Sequence, residues 1–411
     1  MSTSESPTPS SAIVLEGQLL LPVTGRGLEV ALGRVVMRGG VIEAVHVGES
    51  GPRADLGSPE HFICPGFVDA HVHLPQFDSI GVDGMELLEW LHQAIFPAEA
   101  KWEDERYASE MSGRVARQLL SFGTTAVAAY ATVHPASAQA AIDVLAEHGI
   151  AGHVGQVLMD REAPAELLLP AREALSAAGR MRGRGRIQPA VTPRFAVTCS
   201  REMLEGAGRL ARETGWVVQT HLSETRAECA LVKRLHGGEN YAEVYERAGL
   251  LGHRTLLGHG IHLADEELGL LAMRGAWIAH CPTANRFLRA GTFDRARAMS
   301  AGVKIALGSD VAGGPDRSMV RVARGMIEAA KERGTRPPTS AEAWWQITGG
   351  NAWALGLVDT GRLEAGCAGD VVVARPDSRW REAADPLGAL MYAWDDRWVE
   401  GVWCGGTRRY G

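Results

Sequence analysis

Two histidines, His71 and His73, stand one residue apart at the end of the apolar run PGFVDAHVH. Side chains two apart in a strand face the same side, so both imidazoles can reach one metal ion. A histidine at a strand end is commonly a hydrogen-bonded core residue, and the pair alone does not decide between the two. The wider set does: His221 closes WVVQTHL, His259 closes LLGH, and Asp310 follows IALGS. Neutral imidazoles with one carboxylate suit a borderline divalent ion such as zinc and leave a coordination position for water. Glu224, three residues after His221, lies too far along the chain to share the strand face. It is a candidate general acid/base, the competing reading being a first-turn glutamate favoured by a helix dipole. Asp310 can both touch a metal and accept a proton from water. His259 is either a ligand or a hydrogen-bonding neighbour of that water.

Such a set must be gathered by the elements that carry it. From Phe62 onward apolar runs alternate with amphipathic segments, and the pattern predicts eight strands. They are Ile63 to His71, Thr124 to Tyr130, Gly152 to Met159, Gly185 to Val191, Gly215 to His221, Thr255 to His259, Trp277 to His280 and Val303 to Ser309. Near-continuous apolar strands with helical crossovers predict an α/β fold, a closed (β/α)8 TIM-type barrel whose strands are buried on both faces. An open doubly wound sheet is the alternative. The barrel is preferred because it brings the polar strand ends to one rim, where the chemistry needs them. Short β-type runs before residue 62 and after Leu357 predict a small discontinuous β-sandwich domain made from both ends of the chain. The expected division is a disordered tail at 1–11, sandwich segments at 12–61 and 358–411, and a catalytic barrel at 62–357.

A chain of 411 residues with 45% apolar content can bury a core of that size. The formal charge of -7 argues against a protein that grips phosphate backbones. The basic run Arg180 to Arg186, RMRGRGR, is read as a solvated loop rather than a nucleic-acid contact. Six cysteines without a CxxC pair fit a reducing compartment and free thiols. No run reaches the roughly 18 to 20 apolar residues that span a bilayer, so no membrane or nucleic-acid partner and a cytoplasmic location are expected.

The segments PGFVDAHVHLPQ, LLEWLHQAIFPAE, FGTTAVAAYATVH, VTPRFAVTCS, QTHLSE, IAHCPTAN and LGSDVAGG together resemble guanine deaminases of the amidohydrolase superfamily. The HxH and SD elements mark only the superfamily; LPQ, EWL…FPAE and TPRF point to the guanine branch. The resemblance implies zinc held by His71, His73, His221 and Asp310, with His259 at or beside it. In binuclear members of such barrels a modified lysine commonly bridges the metals from the fourth strand; RIQPAVTPRF has no lysine, so one ion per chain is expected. The resemblance also implies that Gln76 and Arg194 recognise the base, that Phe195 stacks on it and that Trp90 walls the pocket; the last two fit core packing equally well. The implied reaction converts guanine to xanthine and ammonia. Asp310 takes a proton from a water that zinc has acidified towards a pKa of roughly 7, and Glu224 delivers protons to the ring and to departing ammonia. A homodimer is the family-like expectation.

Two rim segments depart from the family pattern, TANRFLRAGT at 283–292 and PDRSM after DVAGG. They leave open another amino-heterocycle, such as 8-oxoguanine, a pterin or a triazine. From a different class, a non-catalytic barrel used as an interaction module would be expected to have lost metal ligands, and here the set is complete.

Overall fold

The computed structural model describes residues 12–23, 27–48 and 50–411; the tail expected at 1–11 lies outside them. Eight parallel strands run in the order of the chain and curl into a barrel. They are Phe67–His73, Thr124–Tyr130, Ala151–Gly155, Ile187–Pro193, Val217–Leu222, Thr255–His259, Trp277–His280 and Lys304–Leu307, with the short Val157–Leu158 pairing beside the fourth. The strands are buried almost throughout, as their continuous apolar character requires.

Between the eighth and first strands the barrel is closed by polar groups as well as backbone. Asp310 N donates to His71 O at 2.8 Å, and Ser309 N donates to the Asp69 carboxylate at 3.0 Å. Asn351, fully buried, donates through Nδ2 to Val68 O at 2.7 Å and Leu307 O at 2.8 Å. Its Oδ1 accepts from Leu307 N at 2.9 Å. One amide side chain therefore bridges the seam on which the His71/His73 pair and Asp310 depend.

Both ends of the chain form the second, mixed sheet. Its seven strands are ordered Thr407–Tyr410, Val399–Cys404, Val371–Ala374, Leu56–Pro65, Ile13–Val23, Gly27–Arg38 and Val41–Val47. Leu56–Pro65 joins the two ends, pairing parallel with Ile13–Val23 and antiparallel with Val371–Ala374. Its side chains alternate between two cores: Ile63 packs with Leu15, Leu19 and Val373, while Phe62 and Cys64 pack against the barrel.

The run expected as one strand from Ile63 to His71 is two strands in two sheets. Pro65 has no N–H to continue a ladder, and a Cβ on Gly66 would lie 2.1 Å from Thr125 Oγ1, so only glycine makes the crossing. The basic run is also engaged locally. Arg184 approaches Asp143 and Glu147, while Arg186 clamps Asp370 at 2.5 Å and ties the barrel to the C-terminal segment. Among the described residues no helix is long and apolar enough to cross a membrane.

Candidate metal and substrate site

His71 and His73 share one face at the end of the first strand and are 1% and 2% exposed. His221 lies in the last turn of pleat of the fifth strand, His259 ends the sixth, and Asp310 follows the eighth. Ser223, His259 and Asp310 hold φ of +48°, +69° and +51°. Non-glycine residues avoid that region, and such strain concentrates where side chains must be aimed. One ligand atom from each of His71, His73, His221 and Asp310 lies within 4.8 Å of the others. His73 Nε2 and His221 Nε2 are 3.1 Å apart, and Asp310 Oδ1 is 3.4 Å from Nε2 of both His71 and His73. His221 Nδ1 meets Arg194 O at 2.6 Å, which leaves Nε2 facing the cluster.

This donor set fits a divalent cation. His71 Nε2 is buried with no hydrogen-bond partner, an arrangement that costs free energy unless something accepts its lone pair. Burial holds the His71, His73 and His221 imidazoles well below the usual histidine range, so they are neutral donors. A second grouping, His71, His259, Cys281 and Asp310, is also compact. There burial pushes the Cys281 thiol well above its ordinary value, which makes it the poorer donor set, since thiolate is the ligand form.

Beside the cluster His259 Nε2 is 3.5 Å from Glu224 Oε2 and 3.8 Å from Asp310 Oδ2, and its Nδ1 meets Asn285 Oδ1 at 2.9 Å. Glu224 is 4% exposed and its Oε1 has no partner. Burial, then repulsion from Asp310 and Glu228, raises its carboxyl well above the ordinary range. Asp310 is pushed up to about 6 by burial, with His259 and Arg194 opposing the shift. A protonatable carboxyl beside a second carboxyl and the His259 imidazole can move protons.

His73, Gln76, Trp90, Arg194, Phe195, His221, Glu224, His259 and Asp310 line one cavity. In the same cavity lining, Arg194 Nη1 donates to both oxygens of Glu99 at 2.7 and 2.6 Å, and Gln76 Nε2 donates to Glu99 Oε1 at 3.0 Å. Trp90 precedes a π turn at Leu91–Ile95, the kind of helix defect often found at functional sites. Its indole N–H reaches Val82 O at 2.9 Å, so the ring forms a fixed wall.

Four residues that matter here were not singled out by sequence reasoning. Glu99 ends the FPAE segment, a charged residue at a buried helical position. Asn285 orients His259 from within PTAN. Asp69, two residues before His71, accepts from His71 N and Ser309. Glu228 completes a capping box with Thr225, a T-x-x-E signal, and accepts from Glu224 N at 2.8 Å.

Residues 62–409 match the amidohydrolase family. The chain is 37% identical over 338 residues to guanine deaminase of Escherichia coli, covering 80% of this chain and 75% of that one. The chain belongs to the amidohydrolase family, with the guanine deaminases. The structure of guanine deaminase from C. acetobutylicum with guanine bound in its active site superposes with a TM-score of 0.90 at 30% identity, over 97% of this chain and all of that one. An adenosine deaminase from Xanthomonas campestris with bound zinc gives 0.87 at 25% identity, over 97% of this chain and 92% of that one. The family likeness therefore spans both the barrel and the terminal sheet.

Proposed function

We propose that this chain hydrolyses guanine to xanthine and ammonia with one zinc ion per chain. The observation that carries the reading is one cavity lined from two chemically distinct groups of side chains. One is the cluster of three neutral imidazoles and a carboxylate, and the other is a clamped guanidinium with an amide.

His71, His73, His221 and Asp310 would hold the ion, with His259 beside it. A bound zinc supplies Lewis-acid polarisation, which makes a water acidic enough to react near neutral pH. The reaction forms a C–O bond at the amino-bearing carbon and breaks the C–N bond to ammonia. Asp310 accepts a proton from the attacking water through Oδ2, the oxygen that faces His259. Glu224 gives its proton through the unpartnered Oε1 to the ring nitrogen, is recharged by the second proton of the attacking water as the C–O bond becomes a carbonyl, and passes that proton to the leaving amino group; the proton held by Asp310 then restores Glu224. His259, held by Asn285, keeps its Nε2 between the two carboxylates. Arg194 and Gln76 offer N–H donors to the base carbonyl, and Phe195 and Trp90 flank the ring.

The two altered rim segments put no charged side chain into the cavity lining. Arg286 is engaged with Glu328 and Glu332 outside the cavity, and Leu288 is the rim residue that lines it. The cavity wall is thus apolar where the sequence departs from the family. A cytoplasmic homodimer completes the proposal; all six cysteines are free, which fits a reducing compartment. The test is ammonia release by the zinc-loaded protein from guanine, 8-oxoguanine, isoxanthopterin, cytosine and melamine. Preferred turnover of guanine is expected, and preferred turnover of another ring would reject guanine as the substrate.

A further inference from the structure

Glu99 lies in the short helix Phe96–Ala100 and is 4% exposed. Both its oxygens accept from Arg194 Nη1, and Oε1 accepts from Gln76 Nε2 as well. Gln76 Oε1 in turn accepts from Ala312 N at 3.2 Å, two residues past Asp310. A single carboxylate thus fixes both proposed base-recognition side chains and links them to the backbone that carries Asp310. Arg194 is 3% exposed, and its Nη2 and Nε have no acceptor among the described residues. A buried guanidinium without a counter-charge is costly and would attract any anion that enters. With Glu99 against it, the guanidinium keeps directional N–H donors while its charge is offset.

We propose that Glu99 is a specificity-determining positioning residue, which makes the cavity accept a neutral aminopurine and release the more acidic oxopurine product. The inference rests on the guanine reading above. Replacing the amino group of guanine by an oxo group gives xanthine, a stronger acid than its precursor. A bare arginine would hold the xanthine anion, and an arginine already paired with a carboxylate holds it less. Recognition of a neutral carbonyl survives the pairing, because it depends on where the remaining N–H groups point.

Glu99→Gln keeps the shape and one acceptor oxygen but removes the charge, whereas Glu99→Asp keeps the charge and shortens the reach. On the zinc-loaded enzyme, kcat and KM for guanine are measured together with inhibition constants for xanthine and for hypoxanthine at mildly alkaline pH. Hypoxanthine serves as the less acidic oxopurine. For Glu99→Gln, KM for guanine should rise about tenfold with a smaller fall in kcat, and inhibition by xanthine relative to hypoxanthine should tighten about tenfold, the scale of one uncompensated charge in a partly screened site. Glu99→Asp should raise KM and leave that ratio at the wild-type value. An unchanged ratio in Glu99→Gln overturns the proposal, while absence of guanine turnover in the wild-type enzyme overturns the substrate reading instead. If Glu99→Gln does not fold, Arg194→Gln gives the mirror test: inhibition by xanthine should weaken relative to hypoxanthine, and an unchanged ratio again overturns the proposal.

Discussion

Replacing Tyr241 by phenylalanine removes one oxygen from the network that holds the Glu224 loop. The Tyr241 hydroxyl donates to Glu228 Oε1 at 2.7 Å, and Glu228 Oε2 accepts from Glu224 N at 2.8 Å and Thr225 N at 3.1 Å. All of these groups are buried. A hydrogen bond to a charged partner contributes about 1.5–3 kcal/mol, and that is the expected loss for Tyr241→Phe. The loss should not exceed this range, because Ala196 N, which donates to Tyr241 at 3.3 Å, also reaches Tyr245 at 3.1 Å. Glu228→Ala should cost more, about 2–6 kcal/mol, since it strands two buried N–H groups at about 1–3 kcal/mol each. Urea denaturation of the three proteins measures the stability differences, and steady-state kinetics on guanine measures the consequence for Glu224. A displaced proton shuttle lowers kcat, while the base-binding side chains and hence KM should change little. Tyr241→Phe that unfolds within about 0.5 kcal/mol of wild type and retains its kcat would refute the view that this network positions Glu224.

Glu224→Gln should retain its zinc and lose nearly all turnover, as metal analysis alongside ammonia release will show; full activity would remove Glu224 from the mechanism. Arg194→Ala should lose activity on guanine specifically, by about 10²-fold or more in kcat/KM for a lost charged contact that also frees the buried Glu99, and unchanged guanine kinetics would reject its recognition role. Asn351→Leu should destabilise the fold by about 3 kcal/mol or more in urea denaturation, because it strands three buried groups, the carbonyls of Val68 and Leu307 and the Leu307 N–H, at about 1–3 kcal/mol each; a change below about 1 kcal/mol would show that the seam does not depend on it.

The barrel was legible because buried parallel strands read as continuous apolar runs, and the metal-ligand candidates because His71, His73, His221, His259 and Asp310 fall at or just past strand ends. Alternation along a strand tells which neighbours share a face, so HxH was informative from one segment alone. The break at Gly66 was hidden because apolar residues continue on both sides of it, although Pro65-Gly66 was itself a turn signal. Glu99 stayed obscure for a different reason. Helical periodicity marks its position as buried, but nothing local says that the partner of its charge is Arg194, 95 positions away. Asn351 likewise acts on two strands that only the closed barrel brings together, so no local pattern could assign it. Glu228 was readable: Thr225 and Glu228 have capping-box spacing, and the box holds the loop that carries Glu224. Gln76 and Arg194 came from family resemblance rather than from physical pattern, and the cavity brings both together.

The most direct test of the central claim is a titration of the metal-stripped enzyme with zinc, following conversion of guanine to xanthine as ions are added. The account predicts that activity rises linearly and saturates at one zinc per chain, and that His71→Ala or His221→Ala abolishes both tight binding and turnover. Full guanine turnover in the stripped protein, or saturation only at two ions per chain, would contradict it.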